Sequence, residues 1–545
     1  MRLEKWFKPF VIVLVAASLL LGPLAILPMY SQAASPEKIS PDLRALVASN
    51  APDLVPVIVQ MNTASAASTL AVDVKPELKA KGKIEKEGGV PEKSLGIVEG
   101  ASGLVSATRL AALSADPDVR YISRDVTLRP TGSPYSGDMV DYARALKAQD
   151  VWEKGISGSG VTVAVLDSGV VPSEYGIERR RILASVDLVG GSQNYHDPGG
   201  HGTHVAGIIA GHHDDWSGVA PQANIVSVRV IGDTGSAHMS TVIQGIQWAV
   251  QNRKKYGIRV LNLSLGAPAN TSYIMDPLAA AVELAWHAGI VVVSSAGNAG
   301  PSARTISTPG HDPFVVTVGA TDMNATVSRD DDTVTPFSSR GPTMDGLTKP
   351  DVVAPGRKMV STRVAGSYLD TLYPDRVVNK DYFRLTGTSQ AAAAVSGVAA
   401  LVLSANPGLT PDQVKQQLIA SASKLNGYDA NAVGAGYVDA SRAINASPTT
   451  VHQMARPADA FAALVFPLIK GKSELLWKDP RYHGGVDSRG IPWSNITWDN
   501  VAWDNIAWDN VAWDNVAWDN VTWDNVAWDN VTWDNVTWDS AGRLD

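Results

Sequence analysis

The stretch Val163–Gly169 reads VAVLDSG, an apolar run followed by an aspartate, a serine and a glycine. A short unbroken apolar run is typical of a strand buried on both faces of a parallel sheet. Such a strand brings Asp167 to the edge of the sheet, where Gly169 lets the chain turn. Comparable runs occupy residues 225–230, 260–264 and 290–294, alternating with helical patterns at 240–252, 276–287 and 387–404. Residues 131–446 are therefore predicted to form an α/β domain with a mostly parallel sheet covered by helices on both faces.

Two further segments carry reactive side chains. His201–Gly207 reads HGTHVAG after two glycines, and Leu385–Ser389 reads LTGTS and runs directly into a helical pattern. Ser389 would lie at a helix N-terminus, where free backbone N–H groups favour developing negative charge. Serine, histidine and aspartate together supply a nucleophile, a base and a group that orients the base. Their order here is Asp, His, Ser, and Ser389 lacks the G-x-S-x-G frame of α/β-hydrolases.

A fourth segment, Ser295–Gly300 (SAGNAG), follows another predicted buried strand. The side-chain amide of Asn298 and the backbone N–H of Ser389 would donate to an oxyanion, a role in which one donor is typically worth ~10²–10³ in rate.

Together and in this order, these segments resemble those of the subtilisin-like serine peptidases, the subtilase family. Ser-Leu-Gly at 264–266 and Lys-Pro-Asp-Val-Val-Ala-Pro-Gly at 349–356 add to the resemblance. It implies a subtilisin-like fold and an endopeptidase with Asp167, His201 and Ser389 as triad and Asn298 at the oxyanion hole.

The resemblance also implies a groove that pairs with an extended peptide substrate. Its edges and first pocket would be formed by Ser264, Leu265, Gly266, Gly235, Ser236, Ala237, Ala296 and Gly297, with Ser307 at the base of the pocket. None of these residues is acidic, so we expect no preference for Lys or Arg in this pocket and favour a large apolar side chain.

The sequence departs from the family after Ser389, where Gln390–Ala394 (QAAAA) replaces the usual Met-Ala-Ser-Pro-His.

The loop at 211–218 lacks the family's calcium turn, so we do not expect the main calcium site. His212–Asp215 and Asp330–Asp332 are interpreted as solvated loops, with a weak metal site as the alternative. The chemistry requires no cofactor, and a structural calcium ion is left open.

Residues 1–33 have the layout of a secretory signal peptide: basic residues, an apolar run at 9–27 and small residues before position 34. An uncleaved membrane anchor is the alternative. We therefore expect a secreted protein. Because the chain has no cysteine, its stability must come from packing or bound ions.

Residues 34–130 are predicted to form a small α/β sandwich. Its strands are expected at 54–61, 95–100, 103–106 and 119–123, and its helices at 75–86 and 109–115, the second capped by Thr108. Val98–Ser102 (VEGAS) and Ala115–Ile122 (ADPDVRYI) resemble the family's propeptide. The resemblance implies a unit that assists folding and inhibits the enzyme until it is cut away somewhere after Asp125.

Residues 447–492 are interpreted as a linker, and residues 493–540 as a repeat of Trp-Asp-Asn-Val-Ala or Trp-Asp-Asn-Val-Thr. From Trp493 to the C-terminus there are ten aspartates and one arginine, so the tail is acidic while the remainder is nearly neutral. Nothing indicates the basic patch of a nucleic-acid binder. A period of five forms no apolar face on a helix or on a strand.

Two interpretations of the repeat stay open: an acidic low-complexity tail, or a segment that contacts a cell wall or surface. The rivals to an enzyme are an inactive subtilase fold that binds a surface through this repeat, and a structural wall protein.

Overall fold

The computed structural model describes residues 35–48, 54–62, 75–130, 141–190, 195–212, 216–447 and 458. The predicted signal peptide, the Trp repeat and most of the predicted linker lie outside these residues. So do His213, Asp214 and Asp215.

The N-terminal unit is an antiparallel four-stranded sheet with its own apolar core. The strands are β1 (Leu54–Met61), β2 (Val90–Leu95), β3 (Gly100–Ser106) and β4 (Val119–Arg124), in the order β2-β3-β1-β4. The helices are α1 (Pro41–Ala48), α2 (Pro76–Lys86) and α3 (Ala107–Ala115). Val57, Ile84 and Leu110 are fully buried between the sheet and these helices.

Two local predictions for this unit were wrong. The strand expected at 95–100 lies earlier, at β2, and a 3-10 turn at Gly96–Val98 follows it. The sequence VPEKSL shows no apolar pattern that would predict β2, because only Leu95 of this strand is buried. Thr108 does not cap α3, since the helix begins at Ala107 and the Thr108 hydroxyl contacts that of Ser106.

The remaining described residues form the main domain. Its strands are β5 (Thr127–Pro130), β6 (Thr162–Asp167), β7 (Ile182–Asp187), β8 (Asn224–Arg229), β9 (Ala237–His238), β10 (Ile258–Leu263), β11 (Leu265–Pro268), β12 (Val291–Ser295), β13 (Ser307–Thr308), β14 (Val316–Asp322), β15 (Thr333–Val334), β16 (Val352–Pro355), β17 (Met359–Thr362), β18 (Val377–Asn379) and β19 (Tyr382–Leu385). Its helices are α4 (Tyr142–Ala145), α5 (Gln149–Trp152), α6 (His201–Ala210), α7 (Met239–Gln251), α8 (Arg253–Tyr256), α9 (Pro277–His287), α10 (Tyr368–Leu372), α11 (Thr388–Ala405), α12 (Pro411–Ser421), α13 (Ala430–Val433) and α14 (Ala440–Ala443). Short 3-10 turns occupy Arg179–Arg181 and Pro374–Arg376.

The central sheet has the order β15-β14-β12-β10-β6-β8-β7, with β16 beside β14. All its pairings are parallel except that of β15. Strand β6 is buried along its whole length, as its apolar run predicts. Helices α6 and α11 pack together, as do α7 and α9, and each pair contacts strands β6 and β12 of the sheet. The predicted α/β fold class is confirmed.

Helix α11 runs through the core of the main domain. Among the described residues it is the one helix long and apolar enough to cross a membrane, and 89% of that stretch is buried inside the protein. Its first turn meets the ends of the central strands, and Ser389 lies in that turn.

Ala458 is the one described residue of the predicted linker. Its backbone N–H donates to both carboxylate oxygens of Glu283 on α9, at 2.9 and 2.8 Å, and it is fully buried. At least this position of the linker is thus packed on the main domain.

Candidate active site

Asp167 and His201 form a buried, hydrogen-bonded pair. Asp167 ends β6 and His201 begins α6. The imidazole Nδ1 lies 2.8 and 3.0 Å from the two carboxylate oxygens of Asp167. A Cβ atom on Gly202 would lie 2.2 Å from the Gly169 carbonyl oxygen and 3.0 Å from the Asp167 Cβ, so glycine allows the helix to begin directly against the strand end.

The charge environment of His201 favours a protonated ring. Burial alone lowers the pKa of His201, but the charge and hydrogen bond of Asp167, together with the charge of Asp197, raise this pKa above its usual value of 6.5. In the neutral ring, with Nδ1–H donated to Asp167, the other nitrogen, Nε2, carries the lone pair. This Nε2 is buried and has no hydrogen-bond partner in the described part of the chain.

Ser389 is the second residue of α11 and is fully buried. Its Oγ donates to the backbone carbonyl of Ser264 at 2.8 Å, and the Ser264 Oγ donates to the backbone carbonyl of Ser389 at 2.8 Å. This reciprocal pair ties the first turn of α11 to the chain between β10 and β11.

Asn298 uses the two ends of its amide differently. Its Oδ1 accepts from the backbone N–H of Thr388 at 3.1 Å and from the Thr388 hydroxyl at 2.8 Å. The backbone N–H must face an acceptor, so these bonds fix which end of the amide is Nδ2. Within the described ranges, Nδ2 is buried without a partner. The arrangement therefore offers an N–H donor beside the start of α11.

The peptide groove expected from the sequence is filled by β5. This strand lies between β9 and β11, antiparallel to both: Arg129 pairs with Gly266, Pro130 with Leu265, and Leu128 with Ala237. Leu265 and Gly266 thus pair with β5, and their pairing with a substrate stays a prediction. Gly235 and Ser236 do not, because they form a tight turn with Gly232, and the paired residues on this side are Ala237 and His238.

Ser307 lies close to both Gly266 and Gly297, two residues expected in the groove and first pocket. The Ser307 Oγ donates to the Ala296 carbonyl at 3.1 Å. A Cβ atom on Gly266 would lie 2.7 Å from this Oγ, and one on Gly297 would lie 3.0 Å from it. A side chain at position 266 or 297 would therefore collide with Ser307. The place of Ser307 at the base of a pocket stays a prediction. The preference for a large apolar side chain stays a prediction.

Asp197, which no motif in the sequence indicated, is buried beside the Asp167–His201 pair. An aspartate followed by Pro198 and two glycines before a helix is a cap signal, and that signal could have identified it.

No group of three or more His, Asp or Glu residues is arranged to hold a metal ion in the part of the chain that the structure describes. In the run Asp330–Asp332, the first two residues are exposed as predicted. The prediction of a solvated loop is wrong for Asp332, which is 6% exposed and whose pKa burial raises to about 7.

Comparisons with known proteins agree with this geometry. A model of the subtilase family matches residues 158–437. The chain is 42% identical to serine protease AprX of Bacillus subtilis (strain 168) over 311 residues, which are 55% of this chain and 70% of that protein. It is 33% identical to subtilisin E of the same species over 352 residues, 64% of this chain and 81% of that protein.

Among solved structures, the chain resembles fervidolysin from Fervidobacterium pennivorans, described as a keratinolytic enzyme related to subtilisin. The TM-score is 0.57 at 25% identity, and the match covers 73% of this chain and 62% of that one. On the family match, the aligned relatives and the fold, the chain belongs to the subtilase family and is a subtilisin-like serine protease that acts on peptide or protein substrates.

Proposed function

We propose that Ser389 is the nucleophile, His201 its general base and Asp167 the group that orients His201. The Ser389 Oγ attacks the carbonyl carbon of the scissile peptide, and its proton passes to Nε2 of His201. The peptide C–N bond breaks as the amine leaves with that proton, and water then hydrolyses the acyl-enzyme. The observation that carries this proposal is the Asp167–His201 hydrogen bond combined with a buried Nε2 that has no described partner.

The Ser389 hydroxyl changes partner during this cycle. In the structure it donates to the Ser264 carbonyl, so it must leave that oxygen before its proton reaches His201. The Nδ2 of Asn298 and the backbone N–H of Ser389 are the donors we assign to the oxyanion.

Fluorophosphonate labelling of the processed enzyme, with peptide mapping, tests this assignment. We expect the label on Ser389, its loss in Ser389→Ala and its retention in Ser168→Ala, since Ser168 lies next to Asp167 without being the proposed nucleophile. A label on another serine, or none at all, would contradict the assignment.

We further propose that the chain is a self-processed precursor and that residues 34–130 inhibit the enzyme until they are cut off. The supporting observation is the position of β5, which pairs with Leu265 and Gly266 as an extended peptide substrate would. Pro130, the last residue of β5, pairs with Leu265, which directly follows Ser264, and the Ser264 carbonyl holds the Ser389 hydroxyl. We expect the cut within a few residues after Pro130.

Contacts outside the groove hold the N-terminal unit on the main domain. Asp125 accepts from both the backbone N–H and the hydroxyl of Ser240, in the first turn of α7. The backbone N–H of Ile97 donates to Gln247 Oε1 at 3.2 Å. The carboxylate of Asp125 lies at the positive end of the α7 dipole, which favours the docked arrangement.

We propose that the protein is exported through residues 1–33 and that the Trp repeat contacts a cell wall or surface. N-terminal sequencing of secreted Ser389→Ala, which is expected to keep residues 34–130, tests the first proposal: a chain that begins at Met1 would contradict it. Retention on purified cell wall, with and without residues 493–545, tests the second: equal retention of both forms would contradict it.

We also propose that peptide hydrolysis needs no metal ion. EDTA should leave kcat/KM of the processed enzyme unchanged, while a structural calcium ion would show itself as a lower unfolding temperature in EDTA. Loss of kcat/KM at a temperature where the protein stays folded would contradict this proposal.

A further inference from the structure

Asp197 is a second buried carboxylate beside the Asp167–His201 pair. It is 1% exposed. Its Oδ1 accepts from the Ser168 hydroxyl at 2.6 Å and from the Gly200 N–H at 2.8 Å, and its Oδ2 accepts from the Thr203 N–H at 2.8 Å. All three partners donate, so the site fits an ionised carboxylate even though burial raises the pKa of Asp197.

Through two of these bonds Asp197 determines where α6 begins. Gly200 is the N-cap residue of this helix and has no side chain with which to cap it. Asp197 supplies the missing acceptor, since Thr203 is the third helical residue and Gly200 directly precedes the helix. His201 is the first residue of α6, so the position of the imidazole depends on this cap.

Ser168 connects the two carboxylates. Its hydroxyl donates to Asp197 and accepts from the Gly202 N–H at 2.9 Å. Its backbone N–H donates at 2.8 Å to the Asp167 Oδ1, the oxygen that lies 2.8 Å from His201 Nδ1. A continuous hydrogen-bonded path therefore runs from Asp197 through Ser168 and Asp167 to the ring of His201.

We propose that Asp197 is a positioning residue for the Asp167–His201 pair. It holds the start of α6 against the end of β6, and its negative charge stabilises the imidazolium that forms when His201 accepts a proton. This inference deepens the proposed function and rests on it for its consequence in the reaction.

The ionisable groups around His201 are few in the described part of the chain. Asp167 and Asp197 both raise its pKa, and His204, one turn further along α6, is held neutral because burial lowers its pKa to about 3. On the segment that packs against the Asp197 loop, Arg363 and Asp370 pair with each other. Removal of the Asp197 charge should therefore lower the pKa of His201.

Asp197→Asn is the direct test. An asparagine would turn an N–H₂ group toward one of the backbone N–H donors, so it removes the charge and breaks part of the cap. In the processed enzyme we expect kcat to fall roughly 10²-fold with KM changed less than about twofold, because the reacting groups are displaced while the peptide groove is intact. In a Ser389→Ala full chain labelled with ¹⁵N-histidine, the NMR titration should show the pKa of His201 lowered by roughly half a unit to one unit.

Two further variants keep the test decisive. Ser168→Ala breaks the path but keeps the Asp197 charge, so it should lower kcat by roughly 10-fold and leave the pKa of His201 nearer the wild-type value. This variant also decides the question if Asp197→Asn does not fold.

Asp439→Asn is the matched control: Asp439 is a buried capping carboxylate that accepts from the Arg442 N–H and pairs with Arg329. It should change neither kcat nor the pKa.

Wild-type kcat in Asp197→Asn and Ser168→Ala, with an unchanged His201 titration, would overturn the proposal. So would an effect of Asp439→Asn as large as that of Asp197→Asn. The titration is independent of catalysis because it is measured without Ser389. A failure of the protease assignment would appear instead as a wild-type chain that does not react with a fluorophosphonate at Ser389.

Discussion

Asn298 holds the start of α11 with one end of its amide and presents a hydrogen-bond donor with the other. Asn298→Asp keeps an acceptor for Thr388 but replaces the donor with negative charge. We expect kcat to fall by at least ~10³ with little change in KM, because the lost donor acts on the oxyanion of the transition state and not on bound substrate. Steady-state kinetics on the processed enzyme measure both quantities.

The control for this prediction is Asn298→Ala, which removes both the donor and the acceptor. Its loss in kcat should be smaller than that of the aspartate variant, at ~10²–10³, while its unfolding temperature should be lower. An Asn298→Asp enzyme with more than a tenth of wild-type kcat would contradict the assignment of the donor.

His201 makes the activity depend on pH. Its folded-state pKa lies above 6.5, and only the unprotonated ring can accept the Ser389 proton. We therefore expect kcat/KM to fall on the acid side through an apparent pKa above 6.5 and to be constant from there into mildly alkaline solution. The pH profile of kcat/KM with a peptide whose own groups do not titrate in this range checks this. An acid limb below pH 6 would contradict the charge environment described for His201.

At the scale of elements, the strand β5 and the carboxylate of Asp125 hold the N-terminal unit on the main domain. Asp125→Ala removes both hydrogen bonds to Ser240. In a Ser389→Ala full chain, the amide protons of β5 should exchange with solvent roughly 10- to 100-fold faster, because bonds to a charged group contribute about 1.5–3 kcal/mol. Hydrogen–deuterium exchange with mass spectrometry measures this change.

Asp118→Ala is the control variant for this experiment. Asp118 belongs to the same unit and pairs with Lys83, away from α7. It should leave exchange in β5 unchanged. Equal exchange in the Asp125→Ala and wild-type chains would show that Asp125 does not hold the unit in place.

The buried strands and the helices that follow them were predictable, whereas edges and turns were not. The runs that form β6, β8, β10 and β12 are apolar because both faces of the sheet are covered, and that leaves a clear pattern. The edge strand β2 has no such apolar pattern, since most of its residues are at least partly exposed. Of the site, the sequence indicated Asp167, His201, Ser389 and Asn298 through their motifs. It did not indicate Asp197, because a single aspartate before a helix is usually only a cap. Its contact with Ser168 is visible only in the folded structure.

At the scale of the whole molecule, a buried charge cluster joins distant segments of the cysteine-free main domain. Lys415 donates to the backbone carbonyls of Pro313, Phe314 and Val315, at 2.7, 3.3 and 2.9 Å, and lies 3.1 Å from a carboxylate oxygen of Asp351. Lys349 lies 2.7 Å from the other oxygen of Asp351. Both lysine side chains are 2% exposed. The cluster connects α12 to the loop before β14 and to the start of β16.

Lys415→Met should therefore destabilise the domain by about 3 kcal/mol, since it leaves part of the buried Asp351 charge uncompensated and removes one hydrogen bond from each of three carbonyls. Burial lowers the pKa of Lys415 to about 8, from its usual value of 10.5. Between these values the unfolded chain binds more protons than the folded one, so the free energy of unfolding of the wild type should rise with pH relative to the variant. Guanidinium unfolding of Ser389→Ala chains at pH 7, 8.5 and 10 measures this difference.

The exposed Lys424 supplies the control for this experiment. Lys424→Met should change the unfolding free energy by less than about 0.5 kcal/mol at each pH. A stability of Lys415→Met equal to that of the wild type would show that the cluster contributes nothing to the fold.

The most direct test of the central claim, that Ser389 cuts the chain that occupies its own groove, is the intact mass of the purified protein beside that of Ser389→Ala. We predict that the wild type loses its N-terminal residues to within a few positions after Pro130, while Ser389→Ala keeps β5 and the unit before it. Identical N-termini on the two proteins near position 130 would mean that another protease makes the cut. A wild-type chain that keeps residues 34–130 would contradict the account.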